Sequence, residues 1–228
     1  DGTPSGLIIA SIHGWTGSVL VATQSTFGRL LTRLEVDRTG IYILYGPDPK
    51  DMLGSRAYIG EADSVRERIG KSASDHDFWE TVVVITTSNQ ALTKSHVRYL
   101  EARLIEMTKT ANRVALDNSQ EPVVGRKYLP EADRANMETF LANLKVILPV
   151  IGLDLLKPKL TLTAAPTAST PKTTDETRFE IHHKSNVRAF AIETDGEFVV
   201  LAGSQALKDT SYAHNSYARL KEDLIKQG

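Results

Sequence analysis

Two short β-type runs stand on either side of a segment suited only to turning. Gly40-Ile41-Tyr42 continues as Ile43-Leu44-Tyr45, and Tyr58-Ile59-Gly60 is preceded by Arg56-Ala57. Between them, Gly46 to Ser55 is rich in Gly, Pro and Asp, which fits a hairpin connection better than a strand or helix. Antiparallel pairing then brings Tyr42 and Tyr58 close together. A half-buried aromatic in a strand most often only packs. The residues farther along the chain decide whether this pair does chemistry.

After Gly60, Asp63 or Ser64 is placed to cap a short helix that Gly70 would end. Val65 and Ile69, four apart, face the core, and Arg68 lies on the flank of that stripe, able to reach toward the paired strands. Arg66 reads as a solvated surface residue. Thr81 to Thr87 is a β-branched run bounded by polar residues, the pattern of a buried third strand. A long helix opens near Thr93, with Val97, Leu100, Leu104 and Ala111 down one face. Glu101 falls on or beside that apolar stripe. Burying an unpaired carboxylate is costly, so such a group is paired, protonated or bound to a cation. An ion pair with Arg68 or Arg103 is the structural alternative, and a metal ligand the functional one. Asn112 to Pro122 reads as a polar loop in which Asn112 and Asn118 are both turn formers.

This order of residues resembles the GIY-YIG nuclease family. The resemblance implies a site made of Tyr42, Tyr58, Arg68, Glu101 and Asn118. Arg68, ten residues after Tyr58, would contact the scissile phosphate. Glu101, within Tyr99-Leu100-Glu101-Ala102-Arg103-Leu104, would be the single ligand of Mg²⁺ or Mn²⁺, and Asn118 the last site residue. Tyr42 would orient or deprotonate the attacking water, and Tyr58 would bind water or phosphate. One position departs: many members carry a histidine four residues after the arginine, and here Ser72 stands there, with His76 nearby. The implied activity is metal-dependent hydrolysis of DNA phosphodiesters, of restriction, repair or mobile-element type. The alternative is a catalytically weak DNA-binding or assembly module that keeps the fold.

The expected class is α+β, a small three-stranded antiparallel sheet of GIY-YIG type flanked by helices. Residues 1–38 form a β-rich N-terminal extension with strands at Leu7 to Ile12 and Ser18 to Thr23 and a helix near Phe27 to Leu34, packing on the nuclease-like domain of 39–122. A helical segment covers 123–153, its helix at 131–148 carrying Met137, Phe140, Leu141, Leu144 and Leu148 on one face. A Thr-, Pro-, Ala- and Ser-rich linker covers 154–177. Residues 178–228 form a small β-β-β-α module with a turn at Asp195-Gly196 and a helix near Ser216 to Lys226, resembling a domain often attached to GIY-YIG proteins. His182-His183 does not make a shared metal site, because neighbouring strand residues point to opposite faces.

At 228 residues with no cysteine, the chain can build a sizeable core but neither a disulfide framework nor a thiolate metal site, which fits a cytoplasmic protein. No run of about 18 apolar residues occurs, so no membrane span is expected. A net charge of −1 excludes a generally basic nucleic-acid coat, so DNA contact must come from local patches. One such patch is the helix from Lys94 to Arg113, where Lys94, Arg98, Arg103, Lys109 and Arg113 face only Glu101 and Glu106.

Overall fold

The computed structural model describes residues 6–119, 129–159, 178–182, 186–194 and 197–205. Residues 1–159 and 160–228 form two separate compact units. The first unit is an α+β domain built on a mixed sheet. Its strands are β1 (Ile8–Ala10), β2 (Gly17–Thr23), β3 (Gly40–Asp48), β4 (Asp51–Ala62), β5 (Thr81–Thr87) and β6 (Ala115–Leu116), in the order β1-β2-β5-β3-β4-β6. Neighbours are antiparallel except β4 and β6, which run parallel.

The sheet is therefore wider than the three strands expected from the tyrosine runs. Strand β2 pairs with β5 along its whole length, Gly17 opposite Thr87 through Thr23 opposite Thr81. This places the N-terminal strands within the sheet rather than as an extension packed against it. Their alternation explains why: Val19 and Val21 join one core, Leu20 and Ala22 the other, so β2 is buried on both faces. The hairpin is also tighter than its composition suggested. Both strands run on through the turn-forming segment, leaving only Pro49 and Lys50 between them. The register shifts at Pro47/Asp48, and the Lys50 amide donates to Asp48 Oδ1 (3.0 Å) and the Leu53 amide to Asp51 Oδ1 (3.1 Å), which satisfies the backbone there.

Helices cover both faces. Helices α1 (Phe27–Leu31) and α2 (Val65–Asp75) seal the face that carries Tyr42, Leu44, Val82 and Val84, through Leu30, Val65 and Ile69. Helix α3 (Lys94–Ala111) and helix α4 (Glu131–Val150) seal the face that carries Ile41, Ile43, Ile59, Val83 and Ile85. The expected stripe of α3 is buried at Val97, Leu100, Leu104 and Ala111, and Thr93 caps its start by accepting a hydrogen bond from the His96 amide (3.3 Å). Helix α4 belongs to the same core: Phe140, Leu141 and Leu144 are buried in it, and Trp15 packs on Phe140 at 4.8 Å between ring centroids.

Gly70 does not end α2. The helix passes through it to Asp75, because nothing crowds that face and the next turn brings Ser72 into the buried side. In the second unit, β7 (Arg178–His182), β8 (Arg188–Thr194) and β9 (Glu197–Val200) form an antiparallel sheet in that order. The turn at Asp195-Gly196, His183, the C-terminal helix and most of the linker lie outside the described residues. Among the described residues, no helix is long and apolar enough to cross a membrane.

Candidate active site at the open edge of β4

Strand register places the two tyrosines on one face. Tyr42 sits opposite Gly60 and Leu44 opposite Tyr58, which sets the rings 6.1 Å apart between centroids. Gly60 is required for this. A Cβ there would lie 2.4 Å from Tyr42 Cζ and 2.5 Å from its hydroxyl, so the ring occupies the space a side chain would take. Tyr42 is 0% exposed, and its hydroxyl bonds Ser72 Oγ at 2.8 Å, a contact available only because α2 continues past Gly70.

Tyr58 is half-buried. Burial, followed by Tyr42 through its charge and a hydrogen bond and by the charge of Glu101, pushes its phenol up to about 12, with Arg68 pulling the other way. Tyr58 therefore stays protonated near neutral pH and acts as a hydrogen-bond donor. The same balance shows that Arg68 and Glu101 lie within electrostatic reach of Tyr58. Arg68 is exposed on α2, and with Glu61, Asp63, Glu67 and Lys94 it lines an open groove of about 510 Å³.

The groove lies where β4 ends, around Glu61 and Ala62, and one edge of β4 is paired only in part. Strand β6 pairs only with Arg56 and Ala57, so from Tyr58 onward that edge has no strand partner among the described residues. Asn118 takes over at Ile59: its Oδ1 accepts from the Ile59 amide (3.0 Å) and its Nδ2 donates to the Ile59 carbonyl (2.7 Å). The side chain acts as a one-residue strand beside Tyr58. Asn112, the competing asparagine, is instead the left-handed C-cap of α3 at φ 49°.

Glu101 approaches the same edge from α3. Burial, then the Glu61 carboxylate, raise it to about 7, while Lys94, Arg98 and a hydrogen bond from the Glu61 backbone partly offset this. It forms no ion pair with Arg68 or Arg103; Arg103 instead bonds Glu138 (2.7 Å) and Glu106 (2.6 Å). Lys94 holds Glu61 at 2.8 Å and Asp63 at 3.2 Å. Several basic residues of the α3 patch are thus bound to neighbouring carboxylates rather than displayed. Arg66, expected to be solvated, is likewise paired with Asp37 (Nη2 to Oδ2, 2.9 Å) and the Arg33 carbonyl (2.9 Å).

Two features were not expected from the sequence: the Glu61 carboxylate in the groove, and the partners that hold His76, a residue the sequence only placed near the altered position at Ser72. Glu61 is a second carboxylate there, and strand alternation could have revealed it: it falls on the same face as Ile41, Ile43 and Ile59, as anomalous there as Glu101 is on α3. The other is a side-chain chain behind Tyr58. His76 lies against the Tyr58 ring at 4.1 Å, its Nδ1 bonds Asp117 Oδ2 at 2.7 Å, and Asp117 Oδ1 in turn accepts from Arg56 Nη1 at 2.6 Å. Arg56 also donates to Asp48 at 2.8 Å.

No family model, curated protein or solved structure matches this chain.

Proposed function

We propose that the first unit is a metal-dependent DNA endonuclease of GIY-YIG type. One observation carries this reading: around Tyr58, the Tyr42 ring lies 6.1 Å away, Asn118 bonds the backbone of the neighbouring Ile59, and Arg68 and Glu101 act on the phenol through their charges. Packing alone does not require a half-buried carboxylate and an exposed arginine within electrostatic reach of a phenol pair.

This reading requires a divalent cation, and the chemistry of Glu101 and Glu61 suits one. Among the described residues no three histidine or acidic side chains converge on one point. Mg²⁺ asks for less, commonly one or two carboxylates with waters and substrate phosphates completing the shell. Glu101 would hold the ion, with Glu61 beside it, and their mutual repulsion is what a dication would relieve. Such an ion polarises the phosphate and stabilises the leaving oxygen when bound. It also answers an electrostatic problem: Glu61, Asp63 and Glu67 would repel a phosphate that only Arg68 and Lys94 attract among the groove residues.

The chain's own residues divide the remaining work. Arg68 would neutralise charge on the non-bridging oxygens with its fixed fork of donors. Tyr58, kept protonated, would donate to water or phosphate. Tyr42 is too buried to touch substrate and would set Tyr58 in place through the hydroxyl chain ending at Ser72. Asn118 would hold the β4 backbone beneath them. The test is cleavage of supercoiled plasmid with Mg²⁺: nicked or linear product is expected, together with its loss in Glu101→Ala, and unchanged cleavage by that variant would overturn the metal role.

The burial of Tyr42 favours a second reading, a binding or assembly module that retains the fold without catalysis. Titration calorimetry separates the two. A binding-only module shows no saturable Mg²⁺ or Mn²⁺ site that Glu101→Ala removes.

A further inference from the structure

A hydrolytic site needs a group to accept the proton of the attacking water, and the two tyrosines are poorly placed to do so. Tyr42 is 0% exposed and bonded to Ser72. Tyr58 is held protonated by its surroundings. The position four residues after Arg68 is a serine spent on Tyr42. Another candidate lies on the opposite side of Tyr58. His76 sits just past the end of α2, its ring nearly parallel to Tyr58 at 30° and 4.1 Å. Its Nδ1 is engaged by Asp117 at 2.7 Å, and among the described residues Nε2 has no hydrogen-bond partner.

A carboxylate on Nδ1 fixes the neutral imidazole with its proton on that nitrogen, which leaves Nε2 as a lone-pair acceptor. Asp117 is itself fixed by Arg56, which Asp48 anchors in turn, so the carboxylate cannot swing away. The side chain of His76 retains 16% exposure, enough for a water to reach it. The groups facing the imidazole are Tyr58 from β4, Asp117 from the loop after β6, and Phe78, whose ring lies 6.0 Å away, with Arg56 behind Asp117.

We propose that His76, oriented by Asp117, accepts the proton of the attacking water in phosphodiester hydrolysis, an inference that rests on the nuclease reading above. As the water oxygen bonds to phosphorus, its proton passes to Nε2. The phosphorus–oxygen bond to the leaving strand end breaks, and that oxygen takes a proton from solvent. His76 then returns its proton to solvent, so no oxidant or further reactant is consumed. Asp117 is a positioning residue: it touches the imidazole and not the substrate.

The test compares Mg²⁺-dependent plasmid cleavage by the full chain and by His76→Gln, His76→Ala and Asp117→Asn, with melting curves for each. His76→Gln keeps bulk against Tyr58 and guards against a folding defect. The expected result is a rate loss of about 100-fold in His76→Gln, the scale of general base catalysis. Asp117→Asn should lose rate in the same direction. Imidazole added to His76→Ala should restore part of the lost rate, which a purely structural role would not allow. The acidic limb of the rate–pH profile should flatten in His76→Gln. Cleavage by His76→Gln at the unaltered rate, or a folded His76→Ala that imidazole fails to rescue, overturns this inference alone. An unaltered chain that cleaves nothing overturns the nuclease reading and this inference together.

Discussion

Glutamine at position 101 should make the protein more stable above neutral pH, not less. Glu101 is raised from 4.5 to about 7, chiefly by burial and next by Glu61. A carboxyl group whose folded value exceeds its unfolded one adds stability that is fully present below the unfolded value. That stability is lost as pH rises through the folded value. Between about pH 4.5 and 7, then, the folded chain holds a proton that the unfolded chain releases. At about 1.4 kcal/mol for each tenfold, the full displacement is worth roughly 3 kcal/mol. Glu101 is only part-buried, so about 2 kcal/mol is the better figure. For a unit of residues 1–159, that corresponds to a melting difference of about 4–8 °C. Urea denaturation of both proteins from pH 4 to 8.5, with chelator present, reads this directly. The two curves should agree at acid pH and separate in favour of Glu101→Gln above neutrality, and Mg²⁺ added at the alkaline end should narrow the gap. A difference flat across the whole range would refute the burial of this carboxylate.

Two glycines should respond in opposite directions to the same change. Gly60→Ala drives a Cβ to 2.4 Å from the buried Tyr42 ring and should cost about 3 kcal/mol, whereas Gly70→Ala meets nothing within 4 Å inside α2 and should gain about 0.5–1 kcal/mol. Melting temperatures that move the same way in both variants would contradict the packing at the tyrosine pair. Asn118→Asp keeps the acceptor for the Ile59 amide but sets a carboxylate against the Ile59 carbonyl, at a cost of about 1–3 kcal/mol. Faster hydrogen exchange at Ile59 in this variant would register the loosened edge.

Much of this site is legible in the sequence because its members break local rules. Glu101 is anomalous by its position on an apolar helix face, and a tyrosine pair around a turn predicts its own proximity. The hidden part depends on contacts between distant residues. His76 and Asp117 are 41 positions apart and meet only because α2 runs past a glycine that composition marks as a stop. Gly70 misleads because its helix cost of about 1 kcal/mol is small beside the burial of Ile69 and Ser72. The width of the sheet escapes for a related reason: the alternation in Gly17–Thr23 announces a strand but not its partner, and pairing with β5 is a choice made by the whole core.

The most direct measurement is the single-turnover rate at which the purified chain cleaves labelled duplex, branched and single-stranded DNA with Mg²⁺ and with chelator. Arg68→Ala, whose exposed side chain leaves the core untouched, serves as the comparison. A nuclease with this site should cleave at least one substrate in a Mg²⁺-dependent manner, and should lose about 100-fold or more in Arg68→Ala at unchanged melting temperature. Absence of cleavage on every substrate, or an Arg68→Ala protein as fast as the unaltered one, would contradict it.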